Sequence, residues 1–272
     1  VSPEVYQSFR REKKRYGDLE FYPSWTGGLF TYQYANLFFD LSAYTDPDGI
    51  NWFENARTAT KAQIQYLSEK KEESEAFKQG YWGISAGELP DGSYNMTLGV
   101  TPNLRDADSV GGIFVPTSVA GSLEYVPSDA KRLLRTFYDN YPMLWGRYGF
   151  TSSFAPEYGW TSSKTFALDQ GVALIGIDNY LHGTARAYFM MHPFVIEGLQ
   201  RAGFKRTGKS FSKTAEDSAT VQSTGSVKYD KMLMKFENEV KAALKAKNYA
   251  NARAALNRHL VRGQNIQDPA VL

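Results

Sequence analysis

The sequence contains no cysteine and only three histidines among its 272 residues. The absence of cysteine excludes disulfides, thiolate nucleophiles and cysteine-based zinc sites. The histidines, His182, His192 and His259, are too scattered along the chain to form a histidine-rich metal site. We therefore expect no metal site and no other cofactor.

Long apolar runs are also missing. The longest run, residues 172–177, has six residues, whereas a membrane-spanning helix needs about 20. We therefore expect no transmembrane segment. No signal peptide is visible at Val1, which predicts a chain that is either cytoplasmic or already processed.

Charges of opposite sign nearly cancel, with 31 Lys and Arg against 29 Asp and Glu, so no overall field favours nucleic acid. The distribution is uneven, because residues 1–204 carry 18 basic and 23 acidic side chains and residues 205–272 carry 13 and 6. Residues 205–228 are rich in Ser, Thr, Lys and Gly, which predicts a linker or an exposed loop. Residues 229–272 predict a basic two-helix tail that docks either on the rest of the chain or on another protein.

The spacing of apolar residues predicts an all-α body with long loops. About seven helices are expected, the clearest of them at residues 3–15, 51–71, 127–138, 168–191 with a break near Gly183, and 192–203. Residues 80–114 and 145–164 are predicted to be loops, because Gly, Pro, Asn and aromatic residues interrupt them. No alternating strand pattern extends beyond a few residues.

Aromatic residues are abundant, with 18 Tyr, 17 Phe and 5 Trp. Such a composition is typical of proteins that bind sugars, and it is equally consistent with an aromatic core. Gly83, Ser85 and Gly87 match the spacing of a nucleophile elbow, but no core strand precedes them. Residues 46–49 (D-P-D-G) predict a turn rather than a calcium loop, because Arg57 stands where that loop needs a glutamate.

Six sequence blocks, read in order, carry a more specific signal. They are residues 28–40 (G-L-F-T-Y-Q-Y-A-N-L-F-F-D), 48–60 (D-G-I-N-W-F-E-N-A-R-T-A-T), 81–86 (Y-W-G-I-S-A) with 90–92 (P-D-G), 115–122 (V-P-T-S-V-A-G-S), 145–150 (W-G-R-Y-G-F), and 169–171 (D-Q-G) with 177–180 (I-D-N-Y). In this order they resemble the glycoamylase-like family, whose relatives include bacterial endo-β-1,2-glucanases and the cyclisation domain of cyclic β-1,2-glucan synthases. The resemblance covers residues 3–204 and leaves out the tail.

The resemblance implies that residues 1–204 form the C-terminal part of an (α/α)6 toroid with a sugar cleft at one mouth. It implies glycoside chemistry on β-1,2-linked glucose, which needs two carboxyl groups across the scissile bond. An oligosaccharide or polysaccharide is then the expected ligand. The family also favours the bacterial periplasm or cell envelope as the location.

The matched blocks supply the candidate site residues. Asp40 and Asp178 are the candidate catalytic carboxylates. The candidate substrate-binding residues are Gln33, Glu54, Arg57, Trp82, Asp91, Trp160, Asp169, Gln170 and Tyr180. We expect Trp82, Asp169 and Asp178 to line one concave mouth.

Each candidate also has a structural interpretation. Asp40 could cap a turn, Asp91 lies in a turn-like P-D-G, and Asp169 could cap the helix that follows it. Glu54 and Arg57 are spaced as an ion pair on one helix face, and Trp82 and Trp160 could instead form a packed apolar plug. A carboxylate such as Asp178 on a buried helix face must be paired or protonated.

Two departures from the family pattern argue against catalysis. The family's acidic Y-N-E motif is expected upstream of Val1, so another chain supplies it, the sequence is truncated, or the protein does not need that Glu. Family histidines are replaced by Tyr32 and Asn36, and the Arg of the last block by Leu181. We therefore expect a glycoside-hydrolase-like protein that acts on or binds β-linked glucan. The alternative is a non-catalytic structural or accessory subunit that reuses the toroid scaffold within a larger complex.

Overall fold

Helices dominate the described part of the chain, residues 3–100 and 112–208 of the computed structural model. The α-helices of this part are α1 (Pro3–Gln7), α2 (Leu29–Phe38), α3 (Trp52–Glu69), α4 (Glu75–Lys78), α5 (Pro116–Ala120), α6 (Pro127–Asn140), α7 (Ala167–Leu181), α8 (Thr184–Met190) and α9 (Pro193–Arg201). Short 3-10 helices span Leu41–Ala43, Pro142–Leu144 and Pro156–Tyr158. The all-α prediction is confirmed, and the predicted tail at residues 229–272 lies outside the described residues.

The strands are very short and pair two by two. The antiparallel pairs in the described ranges are β1 (Lys14–Tyr16) with β2 (Leu19–Phe21), β3 (Tyr44–Thr45) with β10 (Lys205–Arg206), β4 (Gly87–Glu88) with β5 (Tyr94–Asn95), β6 (Trp145–Gly146) with β7 (Gly149–Phe150), and β8 (Phe154–Ala155) with β9 (Trp160–Thr161). No strand of these pairs exceeds three residues, so the strands connect loop segments and do not form a sheet layer of their own. Within the two regions predicted as loops, they give paired structure to residues 87–95 and 145–161.

The prediction of a helix over residues 3–15 is wrong beyond Gln7, where α1 ends. Residues 10–15 (R-R-E-K-K-R) are all charged, so a helix here would have no apolar face to bury. The chain instead forms β1 and reverses at Gly17, whose φ of 55° suits a glycine. Arg15 pairs with Glu20 across the resulting hairpin.

The predicted long helices are present where their apolar stripes are clear. Asn51 caps α3 by accepting a hydrogen bond from the Glu54 backbone N–H at 2.9 Å, and Phe53 and Leu67 of the same helix are buried. The predicted break near Gly183 separates α7 from α8. Gly183 has a φ of 70° there, a left-handed conformation that glycine adopts without strain.

Helices α2, α5 and α7 run in the same direction. At their N-terminal ends, the Leu29 and Val115 N–H groups bond to the carbonyls of Ile84 and Gly83, at 3.3 and 2.9 Å. At their C-terminal ends, the Asn179 side chain of α7 donates to the Leu37 carbonyl of α2 at 2.8 Å. Hereafter, the loop end is where these three helices begin, and the far end is where they finish.

The other long helices return in the opposite sense. Gln63, in the second half of α3, accepts hydrogen bonds from the Gly83 and Ile84 N–H groups at the loop end. Helix α6 follows α5 and ends beside the aromatic core, where the Phe137 and Phe154 ring centroids are 4.9 Å apart. The result is an alternation of helices that run toward and away from the loop end. None of the helices in residues 3–100 and 112–208 has the length and apolar character to span a membrane.

Candidate functional site

The loop end holds a buried carboxyl group, Asp169, in the first turn of α7. The residue is only 7% exposed, and the Ser152 hydroxyl donates to its Oδ2 at 3.5 Å. Burial raises the pKa of Asp169 to about 6, and the Ser152 hydrogen bond opposes that shift only in part. Asp169 therefore holds a proton under mildly acidic conditions.

A second buried acid, Glu88 on β4, belongs to the same region. The Lys164 ammonium contacts Glu88 Oε1 at 2.6 Å, and the Ser162 hydroxyl donates to the other oxygen. Burial would raise the pKa of Glu88, but the bonds from Lys164 and Ser162 outweigh it and hold that pKa below its usual range. Ser152 links the Asp169 carboxyl to the backbone of Glu88, because its Oγ also accepts from the Glu88 backbone N–H at 3.4 Å.

We call Glu88, Ser152, Lys164 and Asp169 the Asp169 site. The pKa of Asp169 is raised and that of Glu88 is lowered, and acid–base catalysts combine a protonated with an ionised carboxyl in this sense. Sequence reasoning named Asp169 and missed the other three residues. Glu88 lies between the two parts of the third family block and Ser152 lies two residues after the fifth, and these positions were the available signal.

An aromatic cleft of about 770 Å³ adjoins the Asp169 site at Gln170. Trp145 and Tyr148 line it and are 51% and 66% exposed. The Gln170 amide is fixed by donating to the Phe150 carbonyl at 2.7 Å. Exposed aromatic faces beside hydrogen-bonding groups can stack on sugar rings, since both surfaces are flat and partly apolar.

The candidate catalytic residues Asp40 and Asp178 lie at the far end instead. Asp40 precedes a 3-10 helix and accepts a hydrogen bond from the Ser42 hydroxyl at 2.6 Å. Asp178 accepts from the Ala185 N–H at 2.7 Å, which caps the first turn of α8. Asp178 follows Asp169 by nine residues on α7, which places it about 13 Å along the helix axis.

The far end is organised by a buried ion pair that the sequence did not indicate. Arg186 donates to Glu124 through Nη1 at 2.9 Å and to the Asn36 carbonyl through Nε at 3.1 Å. Its guanidinium thereby joins α8 to the end of α2 and to the turn that follows α5. With Asp40, the pair borders a pocket of about 310 Å³.

Three further candidates are buried. Gln33 is inaccessible to solvent, and its amide donates to the Ser118 carbonyl at 2.6 Å. Trp82 is 1% exposed and Tyr180 is 3% exposed, so both pack in the interior. The structure therefore does not bring Trp82, Asp169 and Asp178 together on one mouth.

The remaining candidates lie outside the Asp169 site. Glu54 and Arg57 form an ion pair of 2.7 Å on α3. The exposed Asp91 accepts from the Ser93 hydroxyl and N–H, and these bonds lower its pKa. Trp160 on β9 is half-buried against the aromatic core. In residues 3–100 and 112–208, no group of three or more His, Cys, Asp or Glu side chains is arranged to hold a metal ion.

Comparison with known proteins places these features in a family. The Glycoamylase family model, described as "Putative glucoamylase", matches residues 1–193. The exo β-1,2-glucooligosaccharide sophorohydrolase (non-reducing end) of Parabacteroides distasonis is 30% identical over 176 residues, which are 64% of this chain and 23% of that protein.

Solved structures share the fold. A Bacteroides caccae protein with the same description as the family superposes with a TM-score of 0.67 at 26% identity, over 76% of this chain and 51% of that one. A Chitinophaga pinensis endo-β-1,2-glucanase, solved with sophorotriose and glucose, superposes with a TM-score of 0.66 at 21% identity, over 75% and 50%. The chain thus spans about half the length of these solved relatives, and less than a quarter of the sophorohydrolase. Since the family model matches most of the sequence, the chain belongs to the glycoamylase family.

Proposed function

We propose that this chain is a glycoside-hydrolase-like protein that binds and acts on β-linked glucan, of the β-1,2 class, at the Asp169 site and its aromatic cleft. One observation carries the proposal: Asp169, a buried carboxyl with a raised pKa, directly precedes Gln170, which lines a cleft with exposed aromatic rings. The kinship with a β-1,2-glucooligosaccharide sophorohydrolase supports the choice of ligand.

The two carboxyl groups suit different tasks. Protonated Asp169 can donate a hydrogen bond, or a proton, to a glycosidic oxygen. Glu88 is held by Lys164 and Ser162, so it suits hydrogen bonds from sugar hydroxyls better than nucleophilic attack. Trp145 and Tyr148 would hold the pyranose rings by stacking.

A second candidate function is glucan binding without hydrolysis, as an accessory subunit. The observation that favours it is that the other carboxyl groups, those of Asp40, Asp178 and Glu88, already hold hydrogen bonds or an ion pair within the chain. Asp40 and Asp178 hold local turns through Ser42 and Ala185, and both Glu88 oxygens already have partners. A single protonated carboxyl can contribute to binding, but glycoside hydrolysis ordinarily requires a pair.

The test combines binding with turnover. Linear β-1,2-glucooligosaccharides are titrated into the chain by calorimetry, and released sugars are measured by chromatography, with β-1,3- and β-1,4-linked oligosaccharides as controls. Tyr148→Ala should weaken β-1,2-glucan binding about tenfold, since stacking contributes about 1–1.5 kcal/mol. Tyr158→Ala removes an equally exposed ring outside the cleft, with 70% exposure against 66%, and should leave binding unchanged.

The outcomes separate the candidates. Binding with turnover that Asp169→Asn abolishes supports the hydrolase, whereas binding without turnover supports the accessory role. Absence of both binding and turnover rejects the proposal. If Tyr148→Ala and Tyr158→Ala weaken glucan binding equally, the aromatic cleft is not the binding site.

A further inference from the structure

An exposed tryptophan stands on a strained turn just before α2. Trp25 is 64% exposed, and its φ of 44° makes it the only non-glycine residue in residues 3–100 and 112–208 with a left-handed backbone. A bulky residue adopts this conformation at a cost, so the surrounding structure must hold it in place. Such strain clusters at active sites and at sites that clamp ligands. The turn is therefore a candidate for presenting the indole ring to a ligand.

Hydrogen bonds and one close backbone approach fix this turn. The Gly27 N–H donates to the Ser24 carbonyl at 2.8 Å, and the Ser24 N–H donates to the Tyr32 hydroxyl of α2 at 2.9 Å. A Cβ at Gly99 would collide with the Thr26 carbonyl oxygen, so the chain at Gly99 presses directly against the turn. A backbone that is already fixed loses less conformational entropy when a ligand binds.

A groove of about 430 Å³ begins beside the turn. Tyr22, Tyr32 and Trp52 contribute aromatic walls, and Ser24, which directly precedes Trp25, also lines it. The volume is within the range of about 300–1,000 Å³ that is typical of small-molecule sites. We call this groove, together with Trp25, the Trp25 groove. Among the described residues it shares no lining residue with the aromatic cleft beside the Asp169 site.

The Trp25 groove also contains a buried hydrogen-bond acceptor. Asn36 lines the groove, is only 3% exposed, and donates its amide N–H to the Tyr32 carbonyl at 2.9 Å. In the described part of the chain, no group donates to Asn36 Oδ1. Buried acceptors are normally paired, because an unpaired one costs stability. A ligand hydroxyl that donates to Asn36 Oδ1 would supply the missing hydrogen bond.

The charges at the Trp25 groove favour an uncharged ligand. Arg11 lines the groove and pairs with Asp48 at 3.6 Å, and Glu12 lines it and pairs with Lys14 at 2.7 Å. The third charged lining residue, Arg10, is exposed to solvent. Aromatic walls beside an acceptor for a hydroxyl suit a pyranose, which has a flat apolar face and hydroxyl groups around its edge.

We propose that the Trp25 groove is a second oligosaccharide-binding site of this chain. One pyranose ring stacks on Trp25, and a hydroxyl of a neighbouring sugar unit donates to Asn36 Oδ1. The groove holds sugar and carries out no bond cleavage. The inference goes beyond the proposed function and rests on it only for the choice of β-1,2-glucan as the first probe.

Calorimetry with linear β-1,2-glucooligosaccharides should resolve two binding sites on the full chain. Trp25→Gly removes the ring, and glycine adopts a φ of 44° without strain, so the Tm should be unchanged or raised. One of the two sites should bind at least tenfold more weakly, because stacking is lost. Tyr158→Ala removes a ring that is 70% exposed and lines neither the groove nor the cleft, and it should leave both sites intact.

A second variant tests the groove independently of the turn. Ala35 is exposed on α2 and lines the groove, so Ala35→Trp should fill it and weaken the same site as Trp25→Gly does. Tyr148→Ala should weaken only the other site, which belongs to the aromatic cleft.

The outcomes distinguish this inference from the proposed function. Loss of one site in both Trp25→Gly and Ala35→Trp, while the site that depends on Tyr148 persists, supports the inference. A single site that only Tyr148→Ala weakens overturns it and leaves the proposed function standing. Equal effects of Trp25→Gly and Tyr158→Ala also overturn it.

Absence of β-1,2-glucan binding would reject the proposed function, and β-1,3- and β-1,4-linked oligosaccharides then test the groove by themselves. Binding of either that Trp25→Gly weakens at least tenfold supports the inference. Absence of binding by all three linkage types overturns it.

Discussion

Replacement of Asp169 by asparagine should stabilise the protein at neutral pH and have much less effect under acid conditions. Burial raises the pKa of this carboxyl from an ordinary 3.8 to about 6 in the folded chain. The unfolded chain exposes the group, which then ionises near its ordinary pKa. Asparagine has nearly the same shape as aspartic acid and carries no charge at any pH, so the substitution removes the ionisation and little else.

The magnitude follows from the two pKa values. Between pH 4 and pH 6 the folded protein holds a proton at Asp169 that the unfolded chain has released, so the free energy of unfolding falls as pH rises. A shift of two pKa units corresponds to about 3 kcal/mol, and Asp169 is only 7% exposed, so solvent screens little of it. The stability advantage of Asp169→Asn should therefore increase by about 2 kcal/mol between pH 4 and pH 7.5.

Urea unfolding at a series of pH values measures this difference directly. Any constant effect of the amide, such as an altered bond to Ser152, shifts the whole curve and leaves the pH dependence intact. Asp91→Asn is the control, because hydrogen bonds from Ser93 lower the pKa of Asp91. Its carboxylate contributes stability at neutral pH that is lost as pH falls, so this variant should show the opposite trend. A pH-independent difference for Asp169→Asn would refute the reasoning.

Two contrasts test the packing at the core and the far end. A Cβ at Gly121 would meet Gln33 Oε1 at 2.7 Å, so Gly121→Ala should lower the free energy of unfolding by about 1–3 kcal/mol. Gly171→Ala in α7 meets nothing within 4 Å and should stabilise by up to about 1 kcal/mol; equal urea midpoints for both variants would contradict this. Arg186→Met breaks a buried ion pair and should cost about 3–5 kcal/mol, whereas Arg57→Met breaks an exposed one and should cost about 1 kcal/mol or less. The same unfolding assay compares these two, and similar losses would show that burial is not the deciding factor.

The fold class was predictable because a helix is marked by residues that lie close together in the sequence. Helix α3 has an apolar stripe and an Asn51 cap within one stretch of sequence, and Gly183 marks the break after α7. The helix predicted over residues 10–15 was wrong for a related reason. This charged run has no apolar stripe to mark a helix, and the hairpin that forms there depends on pairing between β1 and β2. Ordered family blocks identified the fold, because their glycines and core aromatics recur at fixed positions.

The site was less predictable, since its members come from distant segments. Glu88, Ser152 and Lys164 come from separate segments of the chain that meet in the folded protein. Motif matching also grouped Asp169 with Asp178, whereas the rise of α7 places them at opposite ends of the helix. Two residues that are close in sequence can therefore belong to sites at opposite ends of the same helix.

Local patterns in this chain specify its helices and its family, because a stripe, a cap or a glycine acts on its near neighbours. Which carboxyl groups are buried, which of them keep a proton and which surfaces remain without charge are properties of the assembled molecule. They depend on desolvation and on contacts between segments as far apart as Glu88 and Lys164, and these exist only once the helices have packed.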